Sequence, residues 1–172
     1  MRKLLLCGYM GSGKSTVAKL LSQKLQTECF DLDDLIEEKA QMSIKEIFET
    51  KGEVFFRKLE HEVFRGKMQS EEGFILALGG GTPAYANNHL LLNGEGVKSF
   101  YLKASIDTIY ERLIHEHHER PLIAGKAPDE IREIIAKHLF DRNYYYLQSS
   151  HVITIDAKSV EEIALEIIGK LT

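Results

Sequence analysis

Near the start of the chain, the stretch Gly8-Tyr9-Met10-Gly11-Ser12-Gly13-Lys14-Ser15 limits the possible folds more than any other. It fits the pattern G-x-x-x-x-G-K-[ST] without a mismatch, the signature of a loop that wraps phosphate groups. Such a loop needs a strand before it and a helix after it. Leu4-Leu5-Leu6-Cys7 is a short apolar run that reads as a buried strand, and Val17, Leu20, Leu21 and Leu25 then recur at helical spacing to about Gln26. The glycines let backbone N–H groups curl around phosphate oxygens, and the helix N-terminus adds donors and a positive dipole end. Lys14 supplies a charge for the β and γ phosphates, and the Ser15 hydroxyl is placed to ligate Mg²⁺. A glycine-rich turn that matches by coincidence is the competing reading; the strand-then-helix order weighs against it.

Beyond the loop, strands and helices alternate. Cys29-Phe30-Asp31 reads as a strand with Asp31-Leu32-Asp33-Asp34 at its carboxyl end, where parallel sheets bind ligands. On extended chain Asp31 and Asp33 share a face, suited to Mg²⁺ held through water or to a substrate hydroxyl. A helix N-cap is the alternative, since Leu35, Ile36 and Lys39 look helical. Ser43 to Glu46 is a capping box closed off at Gly52, and a longer helix follows over Glu53 to Gln69 with Phe56, Leu59, Val63 and Phe64 as its apolar stripe. On that helix Arg57 and Glu60 are neighbours; taken alone, Arg57 is a surface charge or half of a weak ion pair. Phe74 to Leu78 is a continuous apolar run, expected as a central strand, and it ends in Gly79-Gly80-Gly81. Three glycines at a strand end bring bare backbone to whatever binds there, whereas a tight turn explains one.

Ala84 to Asn93 reads as a helix, Val97 to Leu102 as a strand and Ile106 to Ile114 as a helix capped by Ser105. The polar, histidine-rich stretch His115 to Gly125 reads as a movable lid; His115, His117 and His118 as metal ligands is the lesser alternative. Pro128 to Leu147 is a long helix with Arg142 and Tyr146 one turn apart, Val152 to Ile155 a fifth strand, and Ser159 to Glu162 a second capping box opening the last helix. This alternation implies a parallel sheet covered on both faces, joined by right-handed crossovers.

Chain-wide quantities exclude other classes. At 172 residues the expectation is one domain over 1–172. A net charge of −4 leaves no footprint for nucleic acid, and no apolar run reaches membrane-spanning length. Met1-Arg2-Lys3 runs straight into a core strand, so no signal peptide is expected. Cys7 and Cys29 fall on or beside buried strands and read as core thiols in a reducing cytosol. A cytoplasmic monomer without nucleic-acid or membrane partners is expected.

Taken together, Gly8 to Ser15, Asp31-x-Asp33, Phe56-Arg57, Gly79-Gly80-Gly81, Arg120-Pro121-Leu122 and Arg142 resemble the shikimate kinases in order and spacing, over essentially the whole chain. The resemblance implies an α/β, three-layer P-loop NTPase fold of the nucleoside-monophosphate-kinase type. Its five-stranded parallel sheet would have the order 2-3-1-4-5, with helices on both faces, a mobile lid at about 115–125 and a substrate-binding region at about 33–62. It implies ATP and shikimate as substrates, ADP and shikimate 3-phosphate as products, and one Mg²⁺ ion. Lys14, Asp33 and Arg120 would be catalytic. Gly11, Ser12, Gly13, Lys14, Ser15, Thr16, Arg112 and Arg120 would bind ATP, with Arg112 on the adenine and the loop after Ile155 bordering it. Ser15 and Asp31 would hold the metal. Asp33, Phe56, Arg57, Gly79, Gly80, Gly81 and Arg142 would bind shikimate, the two arginines clamping its carboxylate. Bidentate arginines suit a carboxylate and carboxylate acceptors suit a polyol. The family often shows Arg-x-Pro-Leu-Tyr where this chain has Arg142-Asn143-Tyr144-Tyr145-Tyr146. A gluconate-type kinase shares the loop and lid but has no evident need of Arg57, the glycine run and Arg142. An inactive nucleotide-binding module usually lacks a carboxylate, lysine or arginine that is present here.

Overall fold

The computed structural model describes residues 2–116 and 123–172. Arg120, Pro121, Leu122, His117 and His118, and with them the middle of the segment expected as a lid, lie outside the described residues. Strands β1 (Lys3–Cys7), β2 (Cys29–Asp31), β3 (Phe74–Ala77), β4 (Val97–Lys103) and β5 (His151–Thr154) form one parallel sheet in the order β2-β3-β1-β4-β5. The helices are α1 (Lys14–Leu25), α2 (Leu32–Ala40), α3 (Ile44–Thr50), α4 (Glu53–Met68), α5 (Ile106–Ile114), α6 (Pro128–Tyr146) and α7 (Val160–Gly169).

The continuous apolar strands are explained by burial on both faces. Successive side chains leave a strand on opposite sides. Leu4 and Leu6 of β1 join Ile75, Ala77, Phe100 and Leu102 in a core with Val17, Ile109, Ile135 and Ile167. Leu5 and Cys7 join Phe74, Leu76 and Tyr101 in a second core with Ile36, Ile47, Phe56 and Phe64. The sheet thus divides two cores, and α2, α3 and α4 belong to the second.

Topology opens the site. β1 lies between β3 and β4; the chain leaves β1 toward β2 and leaves β3 toward β4, in opposite directions. A crevice forms at the carboxyl ends of strands where connections diverge in this way. Its walls are the loop after β1 and the glycine run after β3.

Both expected capping boxes are present, Ser43 with Glu46 and Ser159 with Glu162. Two local expectations fail. The helix expected over Ala84 to Asn93 is replaced by two 3₁₀ turns, Thr82–Ala84 and Asn88–Leu92. Ala86 and Asn87 between them are left-handed, at φ 47° and 60°, which no α-helix accommodates. Asp31 and Asp33 do not share an extended face, because β2 stops at Asp31 and α2 begins at Leu32.

Candidate active site

The phosphate loop is already wound. Gly11 and Gly13 sit at φ 80° and 89°, where a side chain would strain the backbone, so the glycines of the motif are required by conformation. Lys14 folds its ammonium back onto the carbonyls of Gly8 and Tyr9, at 2.8 and 3.0 Å. Ser12, within the loop, is buried. Arg112 reaches across from α5 and donates to Gly11 O at 3.0 Å. A cavity of about 510 Å³ opens here, lined by Gly11, Gly13, Lys14, Ser15, Thr16 and Arg112 among others.

On the cavity's far side the two aspartates divide the work. Asp31 caps α2 through Oδ1, which accepts from Asp33 N at 2.9 Å, while its Oδ2 accepts from Ser15 Oγ at 2.5 Å. The cap reading of Asp31 thus holds through one oxygen, and the other oxygen is turned to Ser15. A hydroxyl and a carboxylate oxygen this close are the hard donors Mg²⁺ prefers, and that ion takes few protein ligands and keeps several waters. Among the described residues no cluster of three or more His, Cys, Asp and Glu could hold a metal by itself. Burial, then the nearby Asp31 and Glu60 charges, pushes the Asp33 carboxyl up from 3.8 to about 6, with Lys14 pulling the other way.

Asp33 also lines a second, smaller cavity of about 140 Å³. Arg57, from α4, and Arg142, from α6, meet there. Arg57 is no surface charge: its Nη1 donates to Glu60 Oε1 at 2.9 Å, and Glu60 is 1% exposed. The guanidinium also lies 5.2 Å from the centre of the Phe56 ring, which packs on Phe48. Behind it runs a buried chain of hydrogen bonds. Thr82 Oγ1 donates to Glu60 Oε2 at 2.9 Å, Asn88 Nδ2 donates to Thr82 O at 2.9 Å, and His61 Nδ1 meets Asn88 Oδ1 at 2.5 Å.

Each glycine of the run touches something different. A Cβ on Gly79 would lie 2.9 Å from Thr82 Oγ1, on Gly80 3.3 Å from Met10 N, and on Gly81 2.6 Å from both terminal nitrogens of Arg57. None of the three has a positive φ, so it is crowding rather than conformation that a side chain would meet, and at Gly81 it would displace the Arg57 guanidinium. Tyr146 is buried and donates to Gly80 O at 2.5 Å, fastening the run to α6 one turn after Arg142. Burial holds the Tyr146 phenol well above its usual range.

Sequence reasoning singled out part of the lining of the two cavities, but not Tyr9, Ile44 and His138 in the smaller one, and it missed the residues behind them: Thr82, Asn88 and His61, and the buried role of Glu60. The one signal for Glu60 was its place three residues after Arg57.

A phosphate loop on the central strand of a 2-3-1-4-5 sheet, sharing a lining carboxylate with a pocket that holds two arginines, is the arrangement of a P-loop kinase of small molecules. Known proteins narrow the class. The family model for shikimate kinase matches residues 10–172. A shikimate kinase of Flavobacterium johnsoniae is 54% identical over 171 residues, covering 99% of either chain. The crystal structure of shikimate kinase from Bacteroides thetaiotaomicron matches with a TM-score of 0.89 at 29% identity, covering 99% of this chain and 98% of that one. Shikimate kinase from Acinetobacter baumannii in complex with shikimate matches with a TM-score of 0.88 at 28% identity, over 99% and 93%. The chain belongs to the shikimate kinase family, whose members are ATP-dependent kinases.

Proposed function

We propose that the enzyme transfers the γ-phosphoryl group of ATP to the 3-hydroxyl of shikimate, giving shikimate 3-phosphate and ADP, in the route to chorismate and the aromatic amino acids. The observation that carries this reading is the meeting of Arg57 and Arg142 in a pocket that shares Asp33 with the phosphate-loop cavity. Two guanidinium groups away from the phosphates call for an anionic acceptor, and a carboxylate matches their fork.

The roles follow from position. Gly11, Ser12, Gly13, Lys14, Ser15 and Thr16 hold the triphosphate, and Arg112 lies over the loop toward the base. Arg57 and Arg142 take the carboxylate, with Phe56 and the backbone of Gly79, Gly80 and Gly81 shaping the pocket. Asp33, at the junction, accepts a hydrogen bond from the attacking hydroxyl and takes its proton as the new O–P bond forms and the bond to the ADP oxygen breaks. Lys14 moves from its carbonyl partners to the phosphates and offsets the developing charge. Ser15 directly and Asp31 through water would hold one Mg²⁺; when bound, the ion neutralises phosphate charge. Arg120 is given a second cation's part, within a lid at about 115–125, by family resemblance alone. The region 33–62 supplies the acceptor side of a single kinase domain over 1–172. A cytoplasmic setting matches two free cysteines, one of them, Cys7, a buried thiol beside Ser149, and the chain acts as a monomer in this reading.

An ADP-release assay across shikimate, quinate, gluconate and nucleoside monophosphates tests the reading. Shikimate is expected to give the highest kcat/KM. Arg57→Ala and Arg142→Ala should each raise the KM for shikimate on the order of a hundredfold, the loss of roughly 2–3 kcal/mol from a charge-assisted contact, with little change for ATP. A better acceptor, or alanine variants with normal shikimate KM, overturns it.

A further inference from the structure

The smaller cavity has a wall that the two arginines and Asp33 do not account for. Tyr9 and His138 both line it. Tyr9 is the first variable residue of the phosphate loop, yet it lines the smaller cavity and not the phosphate-loop one, and is 1% exposed. Its hydroxyl meets His138 Nδ1 at 2.8 Å, with the ring centres 5.7 Å apart. The guanidinium of Arg142 lies 5.8 Å from the centre of the same tyrosine ring. His138 and Arg142 are four residues apart on α6 and so share one face of it. The histidine, the tyrosine and the arginine form one corner of the pocket.

Satisfying a buried tyrosine explains only Nδ1. The other ring nitrogen, Nε2, takes no hydrogen bond among the described residues and is not sealed from solvent. Burial first, and then the Arg142 charge, hold His138 below the ordinary histidine value, so the ring is neutral near pH 7 and carries one N–H. A tyrosine O–H that donates to Nδ1 places that N–H on Nε2.

We propose that His138, set in this tautomer by Tyr9, donates Nε2–H to the acceptor substrate beside Arg142, as a binding residue for its carboxylate end. The inference rests on the proposed function above and adds a specificity-determining group to its site. A neutral donor suits this corner, where Arg142 already supplies the charge and a second cation would be repelled.

The test uses His138→Leu, His138→Gln, Tyr9→Phe and the double variant Tyr9→Phe/His138→Leu, with the parent and Arg142→Ala alongside. His138→Leu is expected to raise the KM for shikimate about three- to tenfold, the loss of one neutral hydrogen bond, with kcat and the KM for ATP held. His138→Gln keeps a donor and should stay within about twofold of the parent. Tyr9→Phe should show part of the loss, and the double variant no more than His138→Leu, because the two act as a unit. A normal shikimate KM in His138→Leu overturns the proposal, as does a glutamine variant as impaired as the leucine one. A fall in kcat with both KM values unchanged overturns it too. If His138→Leu fails to fold, by melting and ATP binding, the glutamine variant decides alone: retained KM supports the donor, a tenfold loss overturns it. Should the parent not prefer shikimate, or Arg142→Ala be harmless, the function itself fails; should only the His138 variants be silent, this assignment alone does.

Discussion

The role proposed for Asp33 comes at the expense of stability. Its carboxyl is pushed up to about 6 chiefly by burial, with Asp31 and Glu60 adding to the shift. The sign follows from linkage: a group whose folded value exceeds its unfolded value contributes stability that is full below about 3.8 and is lost as the pH rises through about 6. At neutral pH the ionised carboxylate therefore weakens the fold, by roughly 2–3 kcal/mol at about 1.4 kcal/mol per unit. Asp33→Asn should melt about 4–12 °C above the parent at pH 8, at about 2–4 °C per kcal/mol, while losing nearly all turnover. The gap in melting temperature should close toward pH 4. In the parent, kcat/KM for shikimate should fall as the pH drops through about 6, because a protonated Asp33 cannot take the hydroxyl proton. Melting curves at both pH values check the first claim; equal melting at pH 8 would remove the cost ascribed to Asp33.

At the scale of elements, the setting of Arg57 depends on contacts between segments distant in sequence. The turn Thr82–Ala84 after β3 is tied to α4 by the Thr82 hydroxyl on buried Glu60, and Glu60 in turn holds Arg57. Thr82→Val keeps the shape and removes the bond, leaving a buried carboxylate short of a partner at a cost of about 1–3 kcal/mol. The expected outcome is a lower melting temperature and a several-fold rise in the KM for shikimate, with the KM for ATP held. A variant that melts like the parent would show that the turn does not hold α4. The same contrast explains what could be read in advance. The phosphate loop, the aspartates after β2 and the glycine run are legible because residue type and local spacing carry a signal, whereas Arg57 and Arg142 stand out only through the family resemblance, since alone each reads as an ordinary helix charge. The strands are legible because burial on both faces leaves unbroken apolar runs. The bonds from Glu60 through Thr82 and Asn88 to His61 join residues up to 27 positions apart, and no local pattern reports them. The stretch after the glycine run misleads for a different reason. Its break falls at Ala86 and Asn87, which turn left-handed without a glycine to signal it.

Across the whole molecule, two cores on opposite faces of one sheet hold the two cavities at the carboxyl ends of β1 and β3. Met10, Asp33, Gly79 and Gly80 line both cavities, so a single layer of residues is shared between the nucleotide side and the acceptor side. That layer makes the enzyme open to one inhibitor occupying both sides. A nucleotide whose last phosphate is joined to the 3-oxygen of shikimate would span the shared layer, with one half in each cavity. Its second half would bind at the high effective concentration a short tether sets, giving a gain of about 10²–10⁴ over either half. Inhibition constants for the tethered compound, for its halves and for a version with a long flexible spacer would measure the continuity of the two sites. The short tether should bind tightest and the long one lose most of the gain. A tethered compound no better than its nucleotide half would mean that the shared layer separates the cavities instead of joining them.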